Sequence, residues 1–278
     1  MRIDSHQHYW KIERGDYGWI TPKLPVLHRD FGPGQLEPHL MRHQLDGSIV
    51  VQAAPTLAET DYILSLSGQS EQILGVVGYL DPADPACREH YAAMAAHPKL
   101  VGIRVMIQEM EQAGELLQPP IMEAFHWLAH EQINVDLLVV ADQLPQLLKL
   151  LEQVPHLRGV IDHIAKPDIA AGRLEPWGEQ LRLLAGYPNV YCKLSGMVTE
   201  AVHQHWSTED FRPYITQVLD CFGPRRVLFG SDWPVCLLSA SYDEVVGVLE
   251  ACLPEGYTEE DRERLFGRNA AEFYRLRV

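Results

Sequence analysis

The sequence predicts a (β/α)₈ TIM barrel folded as a single domain over residues 1–278. Three observations predict it. Short apolar runs of strand type alternate with longer segments whose apolar residues recur at helical spacing. Eight such units fill the chain without a linker, a repeat or a shift in composition. Polar, chemistry-capable side chains gather toward the C-terminal ends of the runs, where barrels of this kind build their active sites.

The elements follow in order. The first run, RIDSHQH (2–8), leads into residues 9–36, rich in aromatics, proline and glycine. That stretch far exceeds the roughly 2–6 residues of an ordinary strand-to-helix connection. SIVVQAAP (48–55) precedes AETDYILSLSGQ, LGVVGYLD (74–81) precedes ACREHYAAMAAH, and LVGIRVM (100–106) precedes PIMEAFHWLAHEQ. NVDLLVV (134–140) is followed by LPQLLKLLEQV, RGVIDHIA (158–165) by WGEQLRLLAGY, and NVYCKLSG (189–196) by DFRPYITQVLDCFG. The eighth run is VLFGSDWP (227–234), and NAAEFYRL predicts a last helix packed on the barrel.

Composition removes several function classes. A chain that is 46% hydrophobic and 22% charged can bury a large core. A formal charge of −15 repels nucleic acid and anionic membrane surfaces, so neither is an expected partner. No apolar run approaches the roughly 20 residues needed to span a bilayer. Five cysteines without a C-x-x-C pair point to reduced thiols and a cytoplasmic location. Oligomeric state is not readable.

DSHQH, residues 4–8, places an acid and two histidines on alternate positions. A regular strand would turn Asp4, His6 and His8 to one face and Ser5 and Gln7 to the other. Two such histidines can seat a metal or donate hydrogen bonds to a substrate oxygen; the blander reading is a solvated strand end. Further along, Arg104 lies in the fourth run, Asp162 and His163 in the sixth, Lys193 and Ser195 in the seventh, and Ser231 and Asp232 in the eighth. Cations in apolar strands are rarely buried alone, so Arg104 and Lys193 are expected to cluster with Asp232. Asp162, on the opposite face of an ideal strand from His163, is expected to be structural.

These residues carry a resemblance. DSHQHYW, YGWI, LHRDFGPGQLEPHL, VVQA, GIR, DHIAKP, NVYCKLSG with TEA, FGPRRVLFGSDWPVC and NAAEFYRL together resemble the amidohydrolase superfamily. The similar branch contains L-fuconolactone and L-rhamnonolactone hydrolases and, more distantly, 2-pyrone-4,6-dicarboxylate lactonase. The resemblance implies a histidine pair on strand 1 (His6, His8), a histidine on strand 6 (His163) and a general-base aspartate on strand 8 (Asp232). Two positions depart from metal-rich members. Strand 4 offers Arg104 in place of a bridging lysine or glutamate, and strand 5 has no histidine, with Asp136 set deep. A two-metal site is therefore not expected. No cofactor is expected to be required, although a single divalent ion, zinc or manganese, held by His6, His8, His163 and Asp232 is chemically reasonable.

The implied reaction is the opening of a neutral sugar lactone, a small-molecule substrate, by water activated at Asp232. His163 would orient the carbonyl or ring oxygen, His6 and His8 would donate to substrate, and Arg104 and Lys193 would receive the oxyanion. In the long first loop Trp10 and Trp19 would face the sugar ring, with His28 bonding hydroxyls. The rival readings are a metal-dependent decarboxylase of the same superfamily and a non-catalytic barrel that binds sugar acids. A covalent nucleophile at Ser195 or Cys192 is the weakest.

Overall fold

The computed structural model describes residues 1–110, 112 and 114–276. Eight parallel strands pair in chain order: β1 (Ile3–Gln7), β2 (Gly47–Val51), β3 (Ile73–Tyr79), β4 (Leu100–Val105), β5 (Asn134–Leu137), β6 (Arg158–Ile161), β7 (Val190–Leu194) and β8 (Val227–Phe229). Each lies within or against one of the eight predicted runs. The seam between β1 and β8 is stitched beyond the last strand: His8 N–H donates to the Trp233 carbonyl at 2.7 Å and Asp232 N–H to that of His6 at 2.8 Å.

The helices α1 (Pro33–Arg42), α2 (Leu57–Ser67), α3 (Cys87–Ala95), α4 (Pro119–His130), α5 (Leu144–Gln153), α6 (Trp177–Ala185), α7 (Met197–Glu200), α8 (Thr208–Phe222), α9 (Tyr242–Cys252), α10 (Glu259–Glu263) and α11 (Asn269–Tyr274) follow the strands. Two apolar layers hold the barrel. Strands and outer helices bury one large core between them. Inside, Ile3, Ile49, Val51, Val77, Val160 and Leu228 pack against Phe273 and Tyr274 of α11, the last helix that NAAEFYRL predicted to pack on the barrel. The five cysteines are all free thiols.

Strand β1 departs from regular alternation. Asp4 pairs with Ser48 but Gln7 with Val50, so one extra residue is accommodated between them. Such a bulge flips the inside–outside phase of everything after it. Ile3 faces the inner layer, and His6 and His8 reach the barrel mouth. Asp4 instead turns to Ser231 and to Tyr242 of α9. The expectation that Asp4 shares a face with both histidines is corrected by this single inserted residue.

Beyond β6 the backbone does something rarer. His163, Ile164, Ala165 and Lys166 run consecutively at φ between 48° and 62°. Left-handed backbone costs about 1–2 kcal/mol per non-glycine residue, so surrounding structure must impose it. The Trp177 indole N–H donates to the Ile164 carbonyl at 2.7 Å, and Lys166 N–H to the His163 carbonyl at 2.8 Å. Gly196 makes room: at φ 62°, a Cβ there would lie 2.5 Å from His163 Nδ1. The turn delivers both His163 and Lys166 to the same opening.

Candidate active site

At the C-terminal mouth, three imidazoles and one carboxylate converge. His8 Nε2 lies 3.2 Å from Asp232 Oδ1, and the Nε2 atoms of His6 and His163 each lie 3.9 Å from the same oxygen. All four residues are buried. Asp232 itself adopts φ 56°, a strained turn fixed by the β1–β8 seam.

Tautomers follow from the partners. His8 Nδ1 sits 2.8 Å from the Val51 carbonyl, which can only accept, so that nitrogen carries a proton. Nε2 of a neutral His8 would then point a lone pair at a carboxylate oxygen. A divalent cation between them would satisfy both. His163 Nδ1 is 3.0 Å from Ser195 Oγ, which fixes that ring. A ligating histidine typically has its far nitrogen bonded to a carbonyl, as His8 does. The donor set therefore fits one divalent ion, with His6, His8 and Asp232 close enough to share it.

Beneath this mouth lies a buried charge cluster, with Arg104 reaching from it to the cleft. Lys193 Nζ is fully buried and ion-pairs with Asp136 and, at 3.0 Å, with Asp162; it also donates to His6 Nδ1 at 3.1 Å. Tyr274 Oη, rising from α11, donates to Asp136 Oδ1 at 2.8 Å. Arg104 Nη1 is 3.5 Å from Asp162 Oδ2, while its Nη2 donates to the Gln52 carbonyl. Two cations thus face two carboxylates, and the cluster is neutral as a whole. Burial pushes Asp162 up, but Lys193 and His6 overcome it and hold the carboxyl well below the ordinary carboxylate range. Burial wins for Asp136, raising it to about 6 despite Lys193.

The upper groups respond in kind. Burial and the Lys193 charge hold His6 far below its ordinary value, and burial does the same to His163, so both are neutral near pH 7. Burial opposes ionisation of Asp232, yet His163 and His8 beside it hold its carboxyl below the usual value. It is an ionised carboxylate with imidazoles on three sides.

A cleft of about 250 Å³ opens above these groups, lined by His8, Arg104, His163, Asp232, Trp19 and Lys166 among others. Sequence reasoning placed His6, His8, His163, Asp232, Arg104 and Trp19 at this site, and the structure brings them together. Three residues fall elsewhere. Lys193 is below His6 and meets Asp136 and Asp162, not Asp232, because only carboxylates at its own depth can neutralise it. Trp10 is fully buried with its indole N–H donating to the Arg29 carbonyl at 2.8 Å; it pins the loop instead of facing the cleft. His28 is exposed and outside the lining. Asp162, assigned a structural role, stands directly under His6, since β6 ends before it and strand alternation no longer governs its direction. Lys166 and Gln108, which bond each other at 2.8 Å across the rim, were missed. For Lys166 the only signal was its place in DHIAKP; nothing in the sequence announces a left-handed turn of four non-glycine residues.

A parallel barrel whose mouth gathers three histidines and an ionised aspartate above a neutral buried cluster defines a hydrolytic (β/α)₈ enzyme architecture. The sequence model of the amidohydrolase family matches residues 3–276, and the chain belongs to that family. It is 38% identical over 279 residues to an L-fucono-1,5-lactonase of Burkholderia ambifaria and 37% identical over 286 residues to one of Burkholderia multivorans. Each alignment covers 99% of this chain and 96% of the relative. A crystal structure of an amidohydrolase from Burkholderia multivorans with bound zinc superposes with a TM-score of 0.92 at 36% identity, covering all of both chains.

Proposed function

We propose that this protein hydrolyses a neutral sugar lactone of the L-fucono-1,5-lactone type to the open sugar acid. The observation that carries the reading is Asp232, ionised and flanked by His8 and His163 in the lining of the cleft. The cleft is smaller than the roughly 300–1,000 Å³ of sites for drug-sized ligands, which suits a single sugar ring. Trp19 supplies an aromatic wall for such a ring. The L-fucono-1,5-lactonase relatives support the same substrate class.

In this mechanism Asp232 holds the attacking water and accepts its proton as the water oxygen bonds to the lactone carbonyl carbon. The carbonyl electron pair moves onto oxygen, where the Arg104 guanidinium and the histidine N–H groups receive it. When that pair returns, the ring C–O bond breaks, and the proton held at Asp232 passes to the departing ring oxygen. The product is a hydroxy acid. His163, locked by Ser195 and the left-handed turn, orients the reacting oxygen. Lys193 serves His6 from below and does not touch substrate.

A single divalent ion, if present, would be held by His6, His8, His163 and Asp232 and would supply Lewis-acid polarisation of the carbonyl and acidification of water. The reading includes hydrolysis without such an ion, since Asp232 is ionised and Arg104 is already aimed at the site. Proton release measured on a panel of sugar lactones, before and after exhaustive chelation with metal analysis, tests both parts. Turnover of L-fucono-1,5-lactone that survives metal removal is expected. Activity that vanishes with the metal and returns in proportion to added zinc or manganese would make the four residues obligate ligands. Turnover of pyrone dicarboxylate with none of any aldonolactone would overturn the substrate class.

A further inference from the structure

Trp19 is the only tryptophan lining the cleft among the described residues, and its position rests on one peptide. Its indole N–H donates to the carbonyl of Ala53, at 2.8 Å, just beyond the end of β2. The N–H of that same Ala53 donates to Glu59 Oε1 at 3.2 Å. Glu59 stands in the first turn of α2, where its own N–H is capped by Thr56 Oγ at 3.1 Å, so helix and side chain are anchored together. The Glu59 side chain is fully buried and its second oxygen, Oε2, has no partner. A carboxyl in that position needs a reason, because burying it costs free energy that packing alone does not return.

We propose that Glu59 is a specificity-determining positioning residue: by clamping the Ala53 peptide it sets where Trp19 stands over the cleft, and hence which sugar rings are accepted. The inference rests on the lactonase reading for its substrate. The groups facing Glu59 are Arg14, Asp16 and Tyr17 from the first loop, Arg104 from β4 and Tyr62 on its own helix. Arg14 also donates to Asp16 at 2.6 Å and to the Ala58 carbonyl at 3.0 Å, tying the loop to the start of α2. Tyr17, whose hydroxyl is likewise buried without a partner, packs with Trp19 around Trp10. Burial holds Glu59 at about 8, so it remains a protonated acid in which one oxygen can accept from Ala53. The wall of the cleft is thus supported through Glu59, Ala53 and Trp19 in series, and Glu59 itself never meets substrate.

The experiment compares E59A, E59Q, W19F and the E59A/W19F double variant. W19F keeps an aromatic face but lacks the N–H that Ala53 receives. Losing one such hydrogen bond corresponds to about a 3- to 10-fold change. We expect KM for L-fucono-1,5-lactone to rise by about that factor in E59A and in W19F while kcat changes less than about twofold. E59Q, which keeps an acceptor for Ala53 N–H, should restore most of the KM. Residues acting in series are non-additive, so the double variant should be no worse than the poorer single. A second readout is independent of the reaction: with 5-fluorotryptophan incorporated and Trp19 assigned by W19F, the Trp19 ¹⁹F resonance should shift or broaden in E59A and return in E59Q. If the parent turns over no lactone, the functional reading fails while the ¹⁹F comparison still decides the coupling. An unchanged Trp19 resonance in E59A, a fall in kcat at constant KM, or effects that multiply in the double variant would overturn the proposal.

Discussion

The barrel mouth and the layer directly beneath it use the same residue types to opposite ends. Below, Asp136, Asp162, Lys193 and Arg104 pair off into a neutral buried cluster that Tyr274 joins. Above, Asp232 has no fixed cation of its own, only imidazoles that can take or give a proton. The lower layer is charge that has been balanced, and the upper layer is charge held available. Burial without a full-time partner is what makes a carboxylate reactive, and the neutral floor keeps that reactivity directed at the cleft.

The largest effect should come from breaking the upper layer. Asp232→Asn keeps hydrogen-bonding capacity but cannot accept a proton, so kcat should fall by about 10²–10⁴ while the protein stays folded. Steady-state turnover with circular dichroism as the folding control checks this; a loss of only a few-fold would remove Asp232 from the base role. Breaking the lower layer should instead cost stability. Lys193→Met removes the cation shared by Asp136 and Asp162, leaving Arg104 at 3.5 Å from Asp162 as the one charge against two buried carboxylates, and should destabilise by about 3–5 kcal/mol in urea unfolding. If K193M unfolds like the parent, the cluster is not holding the floor. Per folded molecule, its rate loss should be smaller than that of D232N, which sharpens the division of labour.

A smaller and pH-dependent effect belongs to Glu59. Its folded value of about 8 lies above the ordinary 4.5, so the stability it contributes is complete below pH 4.5 and is lost as pH rises through 8. Thermal unfolding of E59Q should therefore gain on the parent between pH 5 and 9; a constant gap would show that Glu59 titrates normally. The smallest effect is a control. His28→Ala should change kcat/KM by less than about twofold, because His28 is exposed and outside the cleft lining.

Much of this was legible in the residues. Alternation of apolar runs located all eight strands, and strand-end position located His6, His8, His163 and Asp232. What escaped was geometry that depends on tertiary context. Lys193 visibly needed a partner, yet sequence order cannot say that Asp136, two strands away, sits at its depth. The direction Asp162 takes, toward His6, is not one that strand parity can give, because β6 ends at Ile161. Trp10 and Trp19 look alike in sequence; only the antiparallel bridge from Trp10 to Phe31 turns one inward and leaves the other at the rim.

The extra residue in β1 turns DSHQH from a list of side chains into a phase converter. On one side of it, Asp4 answers to α9 and the strand-8 turn, where Tyr242 and Ser231 demand an acceptor. On the other, His6 and His8 turn to Asp232 at the mouth. Insertions elsewhere in the long loop only change its length, but pairing all of DSHQH in regular register, without the bulge, would turn Asp4, His6 and His8 to one face, so that either the bonds to α9 or the histidines at the cleft would be given up. The backbone register of the motif thus decides its geometry as much as its letters do.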